Sequence, residues 1–447
     1  MRSIVATICI FTTLSALAMR PEARRRLERM RENARARSFW PKILENDAGE
    51  EIATTAQWEA RRNEIKNHLQ DKIFGYFPKD LAVEFKSVLE TNLSSIEATY
   101  RHVEISFPSL NTDRKIHLGL FYPKNIGDRK LPVFLSVNKC GNHTIVKDEI
   151  IPQNKGLPHH AVYCEGKTRG SLQDSYPVDQ ILEAGYIFAT FDKSDMDADN
   201  ASLLDDGIKS LIQTHSDPNR SWGTIAAWAF GLTKAVDWLH QDSHVDTNKI
   251  AVTGHSRRGK AALLAAAMDE RIDMAIPHQS GLGGTARYRR AYLRESAKMM
   301  THGHFVYQWM NEPHSLQHFF SKEFANWSER IGRLPIDAHH VIGLIAPRPF
   351  MDVQGTHDFW AGPRSSRRMV ELASKVYRLY GVEVGSDLQI NDGDITSENS
   401  GQIIQFTSRT GHVANRFYWS KFIQFADSHF KTTNAPSSPL ESPQSPQ

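Results

Sequence analysis

Five short apolar runs, "LPVFLSVN", "GYIFATFD", "KIAVTGHS", "MAIPHQS" and "RPFMDVQG", recur from residue 131 onward and constrain the fold more than any other feature. Several are rich in β-branched and aromatic residues, and segments of helical pattern such as "TIAAWAFGLTKAVDWLHQ" separate them. A strand that is apolar along its length must be covered on both faces. The pattern therefore predicts an α/β fold with a mostly parallel central sheet and helices on both faces. Ahead of it, "VEISF" and "KIHLGLFYP" within residues 82–123 alternate and predict antiparallel strands. Earlier still, "TTAQWEARRNEIKNHLQDKIFGYFP" has mostly helical spacing and stops at Gly75 and Pro78, so a helix leads into the domain.

The two ends follow another logic. Arg2, the apolar stretch Ile4 to Leu17 and the small-residue site Ala16-Leu17-Ala18 read as a secretory signal peptide over residues 1–18; an uncleaved anchor is the alternative. Residues 19–39 form a basic helix or linker. Nine arginines and three acids fall within residues 1–37, so the overall net charge of +3 becomes −3 for the rest of the chain. Glu22, Glu28 and Glu32 interleave with those arginines at helical spacing, which predicts a solvated surface helix rather than a nucleic-acid site. From residue 431, "KTTNAPSSPLESPQSPQ" has no apolar face and predicts a disordered tail. Residues 40–430 are left as one compact domain with insertions. Apolar residues at 40% and charged residues at 23% fit a soluble globular chain. Once the signal is removed only Cys140 and Cys164 remain, and whether they pair or stay free thiols is open.

The run "KIAVTGHSRRGKAALLAAAMDE", residues 249–270, carries the chemistry. A strand, a tight turn and an Ala/Leu-rich helix would place Ser256 at the top of the sheet beside a helix N-terminus, the setting of a nucleophile elbow. The usual Gly-x-Ser-x-Gly is altered here, because Gly254-His255-Ser256-Arg257-Arg258-Gly259 moves the second glycine by one residue. A capping serine in an ordinary βα turn is the plain alternative. Against it stand Arg257, Arg258 and Lys260, cations that are costly to desolvate beside a buried sheet edge unless they meet a ligand or partner. Arg257 is expected to reach the oxyanion formed when a carbonyl is attacked. Lys260, one helical turn past Ser256, is expected to face the same cleft and bind a polar substrate. Arg258 has no role and is expected to face solvent.

A serine hydroxyl needs a histidine to take its proton and a carboxylate to orient that histidine, and on this fold the chain order is Ser, acid, His. His412, on a Gly-marked loop before the last helix, is the candidate base. Asp358, in the loop after "RPFMDVQG", is the candidate acid, whereas Asp352 within that strand is structural. Trp360 offers a flat apolar face on which a sugar could stack, a buried core tryptophan being the alternative. The His302/His304 and His339/His340 pairs lack an Asp, Glu or Cys set of zinc spacing, so neither metal nor other cofactor is expected.

With these residues assembled, the chain resembles the glucuronoyl esterases, carbohydrate esterase family 15, in its bacterial branch. The resemblance runs over roughly residues 57–430. It rests on Gly-x-Ser-Arg-x-Gly-Lys (Gly254, Ser256, Arg257, Gly259, Lys260) and on "FGYFP", "NKCGNHTI", "YPVDQILEAGYIFATFD", "SWGTIAAWAFGL", "SGLGG", "LPIDAHHVIGLIAPRPF" and "DFWAGP", in that order. It implies an α/β-hydrolase fold and cleavage of the ester between a lignin alcohol and the 4-O-methyl-glucuronic acid branches of xylan. It also implies Ser256 as nucleophile, His412 as base, Arg257 as oxyanion contact, and Lys260 and Trp360 as holding the glucuronate ring. Many members place a catalytic Glu where this chain has Gln279, so the acid must lie elsewhere, and Asp358 matches an alternative position. The expectation is a secreted or periplasmic monomeric serine esterase. Its rivals are an acetylxylan or other carbohydrate esterase of the same fold, and a carbohydrate-binding homologue that has lost catalysis.

Overall fold

The structure, a computed structural model, describes residues 40–153, 164–200, 203, 207–288, 316–358, 360–382, 384 and 388–431. The expected signal peptide, the basic helix of residues 19–39, His302 and His304 lie outside the described residues. Within them, ten strands form one sheet in the order β1-β2-β3-β5-β4-β6-β7-β8-β10-β9. The strands are β1 (Glu84–Asn92), β2 (Ala98–Ser106), β3 (Lys115–Pro123), β4 (Leu131–Asn138), β5 (Ile187–Asp192), β6 (Val245–His255), β7 (Met274–His278), β8 (Phe350–Gly355), β9 (Gln389–Asn391) and β10 (Ile403–Ser408). The pairs β1/β2, β2/β3 and β3/β5 are antiparallel; every pair from β5 through β9 is parallel. The five apolar runs are therefore the consecutive parallel core, β5-β4-β6-β7-β8, flanked by the alternating strands on one side.

Burial explains the run-like pattern. In β4, Val133, Leu135 and Val137 enter one hydrophobic layer while Phe134 enters the other. A strand with period-2 side chains and two covered faces has no polar position to spare. The first layer also takes the helices α2 (Thr224–Leu239), α3 (Arg257–Met268) and α4 (Pro363–Leu379), through residues such as Ile225, Leu264 and Met369. The opposite layer takes α5 (Arg416–Phe430) through Tyr418, Trp419, Phe422 and Phe425. The leading helix α1 (Thr55–Leu69) opens with a capping box, Thr54 with Gln57, and buries Trp58, Ile65 and Leu69 in the first layer. No helix among the described residues is long and apolar enough to cross a membrane.

Two expectations change. Lys431 does not open a disordered tail: it caps the C-terminus of α5, and its ammonium donates to the Ala184 carbonyl at 2.7 Å. Residues 432–447 lie outside the described residues. Strand β10 stood in no predicted element because its run, "IIQFTS", carries Gln405 and Thr407, yet both are buried, Gln405 bonding Asp352 at 2.8 Å. This strand matters to the site, since the loop that follows it carries His412.

Cys140 and Cys164 form a disulfide with their Cα atoms 5.5 Å apart. It ties the loop after β4 to the segment before the helix Val178–Glu183.

Candidate active site

Strand β6 ends at His255 and α3 begins at Arg257, leaving Ser256 alone at the corner with φ 60° and ψ −126°. A positive φ is strained for a residue with a side chain and persists only where the surroundings impose it. Here the two glycines of the motif impose it. A Cβ on Gly254 would lie 2.5 Å from the Arg258 carbonyl oxygen, and one on Gly259 would lie 2.6 Å from the Gly254 carbonyl oxygen. Strand end and helix start press together only because both positions lack side chains. The displaced second glycine is thus fixed by the packing of this turn. The Ser256 N–H donates to the His278 carbonyl at 2.8 Å, which anchors the corner to β7, and the positive end of the α3 dipole points at the serine.

His412 and Asp358 meet. His412 Nδ1 lies 2.6 Å from Asp358 Oδ2, with the imidazole side chain 33% exposed and the carboxylate wholly buried. The other carboxylate oxygen, Oδ1, accepts the backbone N–H groups of Trp360 at 3.0 Å and Ala361 at 3.2 Å, which fix the acid from behind. Asp352 faces elsewhere: it is buried between Gln354 and Gln405, and desolvation raises its pKa. Of the two aspartates, Asp358 contacts His412, whereas Asp352 contacts Gln354 and Gln405.

The arginine behind the serine is braced. Arg257 Nη1 donates to Asp199 Oδ1 at 2.8 Å and its guanidinium carbon sits 5.1 Å from the Phe319 ring centroid. Asp199 also lies 3.4 Å from His318 Nε2. Trp360, at 53% exposure, is no core tryptophan, and its backbone N–H donates to Asp358.

Lys260 and Arg258 differ from expectation. Lys260 is buried, with its ammonium donating to the Ser280 carbonyl beneath the Ser280–Gly283 turn, instead of lying open in the cleft. Burial, helped by the positive charge of Arg257, lowers its pKa to about 7. Arg258 does not face solvent: it is 5% exposed and lies against buried Tyr176. The first turn of α3 is covered by the rest of the fold, so helical position alone does not decide which of its cations reach water. The His339/His340 pair is buried. His340 belongs to the capping box of the short helix Ala338–Gly343 and His339 Nε2 lies 2.9 Å from the Pro41 carbonyl. No group of three His, Cys, Asp or Glu placed to hold a metal ion occurs among the described residues.

Two further groups shape the site: Gln279, marked in the sequence only as the place of a missing acid, and His255, which the sequence did not single out. Gln279, directly after β7, has both atoms of its amide bonded to the His412 loop. His255 packs its ring 4.4 Å, centroid to centroid, from that of His412. Desolvation, with His278, His412 and Arg258 nearby, holds the His255 pKa well below the ordinary imidazole value, so this ring is neutral.

A protein-family model described as fungal glucuronyl esterase matches residues 169–381. A carbohydrate esterase, MZ0003, of an unknown prokaryotic organism is 30% identical over 394 residues, covering 85% of this chain and 87% of that protein. A 4-O-methyl-glucuronoyl methylesterase of Phanerochaete carnosa is 36% identical over 166 residues, 37% of this chain and 39% of that one. Among solved structures, a glucuronoyl esterase from Solibacter usitatus superposes with a TM-score of 0.75 at 26% identity, covering 87% of this chain and 97% of that one. A promiscuous esterase of the same group from a marine bacterial metagenome gives 0.74 at 27% identity, covering 88% and 97%.

Proposed function

The chain belongs to carbohydrate esterase family 15, the glucuronoyl esterases, and we propose that it uses Ser256, His412 and Asp358 to hydrolyse esters of 4-O-methyl-glucuronic acid side chains of xylan with lignin alcohols. It is a carboxylic ester hydrolase with an α/β-hydrolase fold, and its family hydrolyses glucuronoyl esters. The observation that carries the catalytic reading is the 2.6 Å contact between His412 Nδ1 and a buried carboxylate. That contact fixes the tautomer: Nδ1 carries the hydrogen, and Nε2 is left as the base.

In this reading Ser256 Oγ attacks the ester carbonyl while its proton passes to His412 Nε2. The tetrahedral intermediate collapses as the C–O bond to the alcohol breaks, and His412 returns the proton to the leaving oxygen. Water then attacks the glucuronoyl-serine ester by the same route, releasing the uronic acid and restoring the serine. Asp358 stays ionised throughout and stabilises the imidazolium. Negative charge on the carbonyl oxygen falls at the N-terminus of α3, with Arg257 held nearby by Asp199. Trp360 supplies a face for the sugar ring. Lys260 acts from beneath the Ser280–Gly283 turn, where it orders the floor of the site. The acid absent at Gln279 is thus supplied from Asp358, which speaks against a catalytically inert homologue.

Export of the chain follows from the same reading: residues 1–18 read as a signal, and the Cys140–Cys164 disulfide suits an oxidising compartment. The test is a comparison of a benzyl glucuronate ester with an aryl acetate on wild type and Ser256→Ala. Faster turnover of the glucuronate ester, lost in the variant, is expected. Preference for the acetate would replace this reading with that of an acetyl esterase.

A further inference from the structure

Gln279 sits at the point where the nucleophile and the base are tied together. Ser256 N–H bonds the carbonyl of His278, and the next residue, Gln279, bonds the chain on both sides of His412. Its Nε2 donates to the Gly411 carbonyl at 2.7 Å, and its Oε1 accepts the Val413 N–H at 3.0 Å. A backbone carbonyl only accepts and a backbone N–H only donates, so these two partners fix which way the amide points. The same Oε1 lies 2.8 Å from His255 Nε2; being an acceptor, it requires that nitrogen to carry its hydrogen. His255 is therefore a neutral Nε2–H tautomer, its ring packed beside that of His412 with the two planes tilted by 42°. Gln279 is 1% exposed and has φ 48°, a backbone strain that its three hydrogen bonds offset.

We propose that Gln279 is a positioning residue that clamps the His412 loop over the Ser256 corner, and that this position demands an amide in this chain. A carboxylate has no hydrogen to give Gly411, so it would set two acceptors against each other in a buried site and release one side of the loop. With Asp358 already supplying the negative charge to His412, a second carboxylate at this position would repeat the charge and lose the clamp. The proposal rests on the reading of His412 as the base.

The test uses the rate at which a fluorophosphonate labels Ser256, which needs no assumption about the natural ester, alongside kcat and KM on the glucuronate ester. The variants are Gln279→Met, Gln279→Glu and, as a control on the base itself, His412→Ala. Gln279→Met is expected to lower labelling and kcat on the order of 10²-fold, with KM little changed, as for a misplaced catalytic group. Gln279→Glu is expected to be similarly impaired at neutral pH. Its rate relative to wild type should climb as pH falls, because a protonated carboxyl again offers one donor to Gly411 and one acceptor to Val413. Taking the ratio to wild type removes the titration of the shared groups that face the position: His255 at the end of β6, His278 at the end of β7, Arg258 on α3, and His412 and Asp358 on their loops. Thermal melts check folding, and should Gln279→Met not fold, the isosteric Glu variant decides alone. Gln279→Glu at or above wild-type rate near neutral pH, or a ratio flat with pH, would overturn the proposal. So would wild-type labelling by a folded Gln279→Met. Wild-type labelling by His412→Ala would instead overturn the reading of the base, and failure on the glucuronate ester alone would bear only on the substrate.

Discussion

Asp358 holds His412 from a position in which it can do little else: one carboxylate oxygen is 2.6 Å from Nδ1, and the other is taken by the N–H groups of Trp360 and Ala361. A fully buried, doubly anchored carboxylate fixes both the ring orientation and the tautomer. Asp358→Asn keeps the shape and presents an amide. It is expected to lower kcat by roughly 10⁴-fold, the scale seen when such a carboxylate becomes an amide, with much smaller change in KM. Steady-state kinetics on the glucuronate ester check this; a loss of less than about tenfold would mean that another acid serves His412.

Arg257 is expected to act on charge that develops only during reaction. Arg257→Ala should cost on the order of 10²- to 10³-fold in kcat, the range for loss of one oxyanion donor. Arg257→Lys should recover little of it, because a single ammonium cannot replace the planar fork that also engages Asp199. An equal rise in KM with kcat unchanged would recast Arg257 as a plain binding residue.

Lys260 makes a pH-dependent prediction about stability. The unfolded chain protonates this lysine up to the ordinary value of 10.5, the folded chain only up to about 7. Below about pH 7 both states carry the charge and its burial cost is felt in full. Between about pH 7 and 10.5 the folded state sheds the proton first and the cost falls away. Lys260→Met should therefore raise Tm most below pH 7, with its advantage over wild type shrinking toward pH 10. Melting both proteins across this range checks it, and a difference independent of pH would contradict the assignment.

The disulfide is expected to contribute to stability through the unfolded chain. Its cysteines are 24 residues apart in sequence, and closing a loop of that size corresponds to about 3 kcal/mol. The Cys140→Ser/Cys164→Ser double variant should lose about that much in chemical denaturation while retaining kcat, since neither sulfur belongs to the triad. Unchanged stability would show that the pairing has no such role.

How far the sequence foretold this arrangement depends on how locally each feature is encoded. The parallel core was legible because strands covered on both faces must be apolar throughout, and Val133, Phe134, Leu135 and Val137 leave no other reading. The elbow was legible despite its shifted glycine, because a strand, a turn and a helix are written in consecutive residues. Strand β10 was not, since buried Gln405 and Thr407 find their partners only in the folded sheet. Arg258 and Lys260 were misplaced for a related reason: a helix fixes the spacing of its side chains, but the segments that cover it come from far along the chain. Gln279 was legible only as the place of a missing acid, and nothing local to it told of its clamping contacts. Its meaning lies in backbone atoms 132 and 134 residues downstream.

Activation of Ser256 by His412 is read out by intact-mass and peptide mapping of the folded protein after exposure to a fluorophosphonate, in which Ser256 Oγ would bond to phosphorus as fluoride leaves. One adduct per chain is expected, located on Ser256, absent from Ser256→Ala and strongly slowed in His412→Ala and Asp358→Asn. An adduct on another residue, or no adduct on a protein that still hydrolyses the glucuronate ester, would contradict that activation.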